Sequence, residues 1–299
     1  MLTFTTNTIS KFDSWILASR PRTLAAAVMP VIVGSSIALR DGVFHPIAAL
    51  VALLCSLLIQ VGTNLVNDLF DFLHGTDKKD RIGPQRATAS GLLSKLEMKV
   101  GIYFTFGLSF ILGLYLVYLG GIFILLIGIF SIVAGIAYTA GPFPLAYNCL
   151  GDIAVFIFFG LVGTVGTYYV QANEITAMAF WSSIPVGALI TNILVVNNYR
   201  DREEDHSNGK NTLAVIFGER FARIQYVFFM ILSYAILFVV YFTFKKSLLI
   251  FLPFLSLPLS VKLVRMIFTL HGRELNKTLE LTAKLSALYG LLFAAGILL

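Results

Sequence analysis

The sequence predicts an all-α, polytopic membrane protein with nine transmembrane helices, its N-terminus inside and its C-terminus outside. Three observations carry this. Of 299 residues, 58% are hydrophobic and 13% charged, against about 25% charged in a soluble domain, and the mean hydropathy is +0.85. Apolar runs recur along the chain, each long enough to cross about 30 Å of hydrocarbon. Basic residues collect on one side of those runs.

In order, the runs lie near residues 22–40, 46–66, 100–119, 121–139, 150–170, 176–197, 222–243, 247–270 and 279–299. Breakers mark the joints: Arg40-Asp41-Gly42, Gly120-Gly121, Gly141-Pro142-Phe143-Pro144, Asn173-Glu174 and Lys245-Lys246. Pro30 with Gly34, and Pro253 with Pro258, fall inside runs, where membrane helices tolerate them and kink. The first twenty residues are Thr- and Ser-rich and lack the short apolar core of a cleaved signal, so the first helix is expected to be its own insertion signal. Cys55 and Cys149, in or beside apolar runs and without metal-binding spacing, read as small core residues.

With the N-terminus inside, the outer loops carry only Arg40, Lys245 and Lys246, while the remaining 19 of 22 Lys and Arg lie on or near the other side. The positive-inside rule makes that side cytoplasmic. The net charge of +6 is then explained by contact with anionic lipid and calls for no nucleic acid.

Two polar loops on that side, about 67–98 and 198–220, hold the chemistry. In NLVNDLFDFLHGTD, residues 64–77, helical spacing puts Asn64, Asp68 and Asp71 on one face at i, i+4 and i+7. In NNYRDREED, residues 197–205, Asn197, Asp201 and Asp205 repeat the device at i, i+4 and i+8. A carboxylate at mid-bilayer costs roughly 2.5–3.5 kcal/mol, so four acids abutting membrane runs need water or cations. A single DxxD is usually a solvated loop. Two copies, each preceded by Asn and each beside an apolar run, point to one metal site in two halves.

The donors are all oxygen, which suits Mg, Mn or Ca. Lys78, Lys79, Arg81 and Arg86 follow the first motif, and Arg200, Arg202 and Lys210 surround the second. Mg binds through one or two carboxylates while phosphate oxygens complete its shell, so acids with interleaved cations suit a diphosphate. Gly83 with Thr88, and Gly209 with Thr212, could turn the backbone toward phosphate oxygens. At the rim of an apolar bundle, the fitting ligand is a lipid with a diphosphate head. Metal would stabilise the departing diphosphate as the allylic C–O bond ionises, and apolar walls would shield the carbocation. His74 and His206 read as exposed loop residues, and Asp152 as an acid favoured at a helix N-terminus.

The chain resembles the UbiA superfamily of intramembrane aromatic prenyltransferases, through NDLFD at 67–71 and DREED at 201–205. Within it, the chain is similar to the 1,4-dihydroxy-2-naphthoate polyprenyltransferases of menaquinone synthesis. That likeness rests on SRPRTLAAAVMPVIVG at 19–34, GTDKKDRIGPQRATASGLLS at 75–94, YTAGPFPLAYNCLGDIAVFIFFGLVGTVGTYYVQ at 138–171 and NNYRDREEDHSNGKNTLAVIFG at 197–218. Many relatives carry a third acid in the first motif where this chain has Gly75, its acid arriving at Asp77.

The resemblance implies one domain over 1–299, a nine-helix bundle around a central cavity open to lipid and capped by the two loops. It implies Mg2+ (or Mn2+), one ion held by the catalytic aspartates Asp68 and Asp71 and another by Asp201 and Asp205. Asn64, Asn67 and Asn197 would support substrate binding, and Arg22, Lys78, Arg86 and Lys210 would bind diphosphate or the acceptor's carboxylate. The implied reaction moves a polyprenyl group to 1,4-dihydroxy-2-naphthoate with loss of CO2 and diphosphate, giving demethylmenaquinone, at the cytoplasmic face of the inner membrane. Other acceptors, namely 4-hydroxybenzoate, homogentisate or a chlorophyll precursor, would need only the same chemistry. A cation transporter would instead place acids near mid-membrane. Replacing Asp68 or Asp201 by Ala is expected to abolish transfer and leave the fold intact.

Overall fold

A computed structural model describes residues 10–76, 83, 85–244 and 247–299, and within these all side chains except that of Arg22. Lys78, Lys79, Arg81 and Asp77 of the first loop, with Lys245 and Lys246, lie outside the described residues. The helices are α1 (Lys11–Ser19), α2 (Pro21–Arg40), α3 (Pro46–Leu73), α4 (Lys95–Ala137), α5 (Gly151–Val155), α6 (Gly163–Ala172), α7 (Ala177–Arg200), α8 (Arg202–Ser207), α9 (Leu213–Phe244), α10 (Leu257–Thr269) and α11 (Leu275–Leu298). A π-helical turn, Phe156–Val162, joins α5 to α6, and 3-10 helix over Leu248–Ser256 leads into α10. The fold is all-α. Among the described residues, eight helical spans are long and apolar enough to cross a membrane.

Local chemistry sets the ends. Ser94 and Glu97 form a reciprocal capping box that starts α4. Pro21 and Pro46 sit in the first turns of α2 and α3, where a missing N–H costs nothing. Asn173 at φ 56 closes α6. A straight helix of 43 residues would run about 65 Å, twice the hydrocarbon thickness. α4 has that length, and it breaks at Gly121, with φ 67 and ψ −157, at the Gly-Gly joint expected from sequence. α9 likewise breaks at Gly218.

Several boundaries differ from the hydropathy reading. α3 continues to Leu73, so the first acid motif lies on the helix rather than in the loop after it. α9 starts at Leu213, nine residues before its apolar run, because Thr212 accepts a hydrogen bond from the Val215 N–H and caps it. Cys149 is a half-exposed residue at φ 60, not a core residue, because its N–H is turned to the Asn211 carbonyl.

Two packed regions flank the interior. One, centred on the buried rings of Tyr168, Tyr226, Tyr289 and Phe293, joins α2, α6, α7, α9 and α11. The other joins α1, α3 and α4 around Leu65, Leu69, Leu93 and Met98. Glycine allows a close approach here: a Cβ on Gly160 would lie 2.8 Å from the Gly187 Cα, so the π turn and α7 meet backbone to backbone.

Candidate active site

Between these regions lies a cavity of about 1200 Å3. Its walls are apolar along Cys55, Phe110, Leu116, Ile124 and Phe158, and polar at one end, where Asn64, Asn67, Asp71, Arg86, Asn197, Arg200 and Lys210 line it. Phe158 belongs to the π turn, a wall irregularity of a kind frequent at functional sites. A second, small cavity adjoins the polar end and is lined by Asp71, Thr76, Asp201, Glu204, Asp205, Asn208 and Lys210. The two acid motifs, some 130 residues apart in sequence, thus share one chamber.

The acids are buried rather than solvated: Asp68 is 1% exposed, Asp71 6%, Asp201 4% and Asp205 8%. α3 carries the first pair below the surface, the end of α7 and α8 carry the second, and each acid has protein partners. Asp68 accepts the Ala87 and Thr88 backbone N–H groups, one on each oxygen at 2.9 Å, and so holds the turn after the first loop. It lines neither cavity. Asp71 accepts from the Tyr147 hydroxyl at 2.9 Å and from Arg86 at 3.2 Å. Asp201 takes a bidentate Arg200 at 2.6 and 2.7 Å. Arg200 is itself fixed by Asn197 and by Asn276 at the start of α11.

Asp205 pairs with Lys210 at 3.4 Å through one oxygen, and its Oδ2 is buried without a hydrogen-bond partner among the described residues. Burial pushes its pKa up from 3.8 to about 6, against the opposing pull of Lys210. A buried carboxylate oxygen with no hydrogen-bond partner, beside other carboxylates, has the chemistry of a cation ligand. Among the described residues, no three His, Cys, Asp or Glu side chains group closely enough to hold a metal unaided. Mg2+ needs only one or two carboxylates and completes its octahedron with phosphate and water.

The remaining expected residues divide by task. Asn64 donates to the Ser19 carbonyl and to Thr23, pinning the α1–α2 joint against α3. Asn67 accepts from Thr139, pinning the end of α4. Both still line the large cavity. Arg22 lies on the first turn of α2. His74 and His206 are exposed, and Asp152 is buried in the first turn of α5 with Gln225 beside it. The sequence reading missed Tyr147, Thr76 and Asn208. Tyr147 follows the Gly141–Pro144 breaker, in a loop that the helix count put on the same side as both motifs, and that was the available signal.

Residues 27–288 match the UbiA prenyltransferase family. The chain belongs to this family. The 1,4-dihydroxy-2-naphthoate octaprenyltransferase of Escherichia coli (strain K12) is 37% identical to it over 298 residues, covering 97% of each chain. The protein of the same name from Bacillus subtilis (strain 168) is 30% identical over 288 residues, 94% of this chain and 91% of that one. Among solved structures, a UbiA homolog from Archaeoglobus fulgidus bound to GPP and Mg2+ superposes with a TM-score of 0.69 at 16% identity, over 96% of this chain and 100% of that one. This last likeness shows a shared fold.

Proposed function

We propose that this chain transfers a polyprenyl group from polyprenyl diphosphate to 1,4-dihydroxy-2-naphthoate, releasing CO2 and diphosphate. The observation that carries the reading is the joint chamber of Asp71, Asp201 and Asp205 at the polar end of a long apolar cavity, in a chain like two naphthoate octaprenyltransferases along nearly its whole length. Head and tail of the donor each have a matching place. The reading takes the chain as one transferase domain over 1–299, in the inner membrane with the acid-bearing end cytoplasmic.

Asp71 would hold one Mg2+ and Asp201 with Asp205 a second, and Asp68 would join Asp71 only through the lone pairs its two backbone donors leave. When bound, the metal would supply charge neutralisation for the departing diphosphate. Arg86, Arg200 and Lys210 are paired with Asp71, Asp201 and Asp205 in a buried chamber. A diphosphate would compete for Arg86 and Lys210 and leave Asp71 and Asp205 free to ligate the cation, so charge would change partners without entering the apolar cavity. The prenyl chain lies along Phe110, Leu116 and Phe158, where water that would quench an allylic cation is excluded. Exchange of a ring carboxyl for a prenyl group leaves the oxidation level unchanged, so the ring leaves as the quinol. Demethylmenaquinone follows on its oxidation.

Purified protein in detergent, given 1,4-dihydroxy-2-naphthoate and radiolabelled polyprenyl diphosphate, should form a prenylated naphthoquinol with Mg2+ and none with EDTA. Product from 4-hydroxybenzoate or homogentisate but not from naphthoate would keep the mechanism and replace the acceptor. No product from any acceptor would remove the reading.

A further inference from the structure

We propose, on the transferase reading above, that Tyr147 is a positioning residue that joins the two halves of the diphosphate site. Its hydroxyl donates to Asp71 Oδ1 at 2.9 Å. On its face, Lys210 Nζ lies 5.7 Å from the ring centroid. One side chain therefore touches an acid of the first motif and the cation that pairs with Asp205 of the second.

The backbone around Tyr147 makes the same connection. Residues Leu145–Tyr147 form a 3-10 turn after Pro144, braced by the Asn148 side-chain amide donating to the Pro144 carbonyl at 2.8 Å. The Asn211 N–H donates to the Tyr147 carbonyl, and the Cys149 N–H donates to the Asn211 carbonyl. The segment just after Lys210 is thus clamped to this turn as an isolated parallel bridge. Asn208 reaches across to the Thr76 carbonyl, and the Thr76 hydroxyl lies 3.2 Å from that of Tyr147. Displacing the ring would move Lys210 and Asp71 together.

Asp71 carries Arg86 on its other oxygen, so the phenol fixes which lone pairs face the chamber. Hydrogen bonds to ligating carboxylates set ligand orientation, and their loss typically weakens metal binding 10–100-fold. The ring acts separately, since a cation seated over a tyrosine face is held at a defined place.

Tyr147→Phe removes the hydroxyl and keeps the ring. It should raise the half-saturating Mg2+ concentration at least about 10-fold, with the naphthoate KM and the melting midpoint unchanged. Mn2+ binding, read by EPR in the presence of an unreactive prenyl thiolodiphosphate, should weaken by the same factor. Tyr147→Leu should also raise the KM for the prenyl diphosphate, and Tyr147→His, which restores a ring and a donor, should recover part of the loss. If Tyr147→Phe melts early, the comparison of His with Leu carries the test, and equal Mn2+ affinity in those two overturns the proposal. Wild-type Mn2+ affinity in Tyr147→Phe, or a loss confined to the naphthoate KM, also overturns it. Absence of prenyl transfer by the wild-type enzyme would instead remove the transferase reading.

Discussion

Asp68→Ala should destabilise the protein as well as silence it, contrary to what the sequence suggests for an acid at a wet rim. The carboxylate is 1% exposed and accepts two backbone N–H groups, those of Ala87, 0% exposed, and Thr88, 6% exposed. Truncation strands both donors away from water. Each stranded donor costs about 1–3 kcal/mol, roughly 2–6 kcal/mol for the pair. Relief of the buried charge offsets part of this, so the low end applies. At about 2.1 cal/mol/K of unfolding entropy per residue, a chain of 299 residues shifts by about 1.6 °C per kcal/mol, so the midpoint should fall by about 3 °C or more. Asp68→Asn, which keeps one acceptor, should lose about half as much. The assay is thermal melting of the purified protein in one detergent, with limited proteolysis of the 85–94 segment under native conditions. A wild-type midpoint together with wild-type protease resistance in Asp68→Ala would refute the anchoring role.

Two further predictions use other parts of the structure. Because burial holds Asp205 at about 6 against 3.8, the folded metal-free protein binds the extra proton between roughly pH 4 and 6, and this group's contribution to stability falls as pH rises through that window. Metal-free wild type should therefore gain more in melting midpoint on going from pH 7 to 5 than Asp205→Asn does, while Mg2+ binding, which needs the carboxylate ionised, should weaken below about pH 6. Equal gains in the two proteins would contradict this. Gly160→Ala places a Cβ 2.8 Å from the Gly187 Cα. Overpacking of that kind costs about 1–3 kcal/mol, and the resulting shift of the π turn moves Phe158 in the cavity wall, so melting midpoint and transfer rate should fall together. A change in neither would refute the close contact.

The helices were legible because each span is an uninterrupted apolar run, and the motif faces were legible because helical spacing is fixed. Distance relations were not. Nothing in NDLFD says that Asp68 turns toward Ala87 and Thr88 while Asp71 faces the chamber, since that depends on where the loop returns. Tyr147 and Asp71 are 76 positions apart, and only the path of α4 with its Gly121 break brings them together. Gly160 and Gly187 each look like ordinary membrane glycines until the backbone places them against one another. The burial of the acids was misjudged for a related reason: hydropathy locates the end of a run, while the depth of a side chain is set by the neighbouring helices and loops that cover it.

The ion pairs in the chamber are better understood through function than through stability. Arg200 with Asp201 is 1% and 5% exposed at the side chains, and Arg86 with Asp71 is 10% and 8% exposed. Buried pairs of this kind return little net stability, since desolvation consumes most of the attraction, and apolar replacements often do as well. Removing one partner is far costlier, because the other is left charged and alone. A chamber built from such pairs therefore holds carboxylates that are already desolvated when substrate arrives, and cations already placed for phosphate. On the proposed reaction, the desolvation that would otherwise oppose metal–diphosphate binding has been met during folding, and this is why the acids are found buried and not at a wet rim.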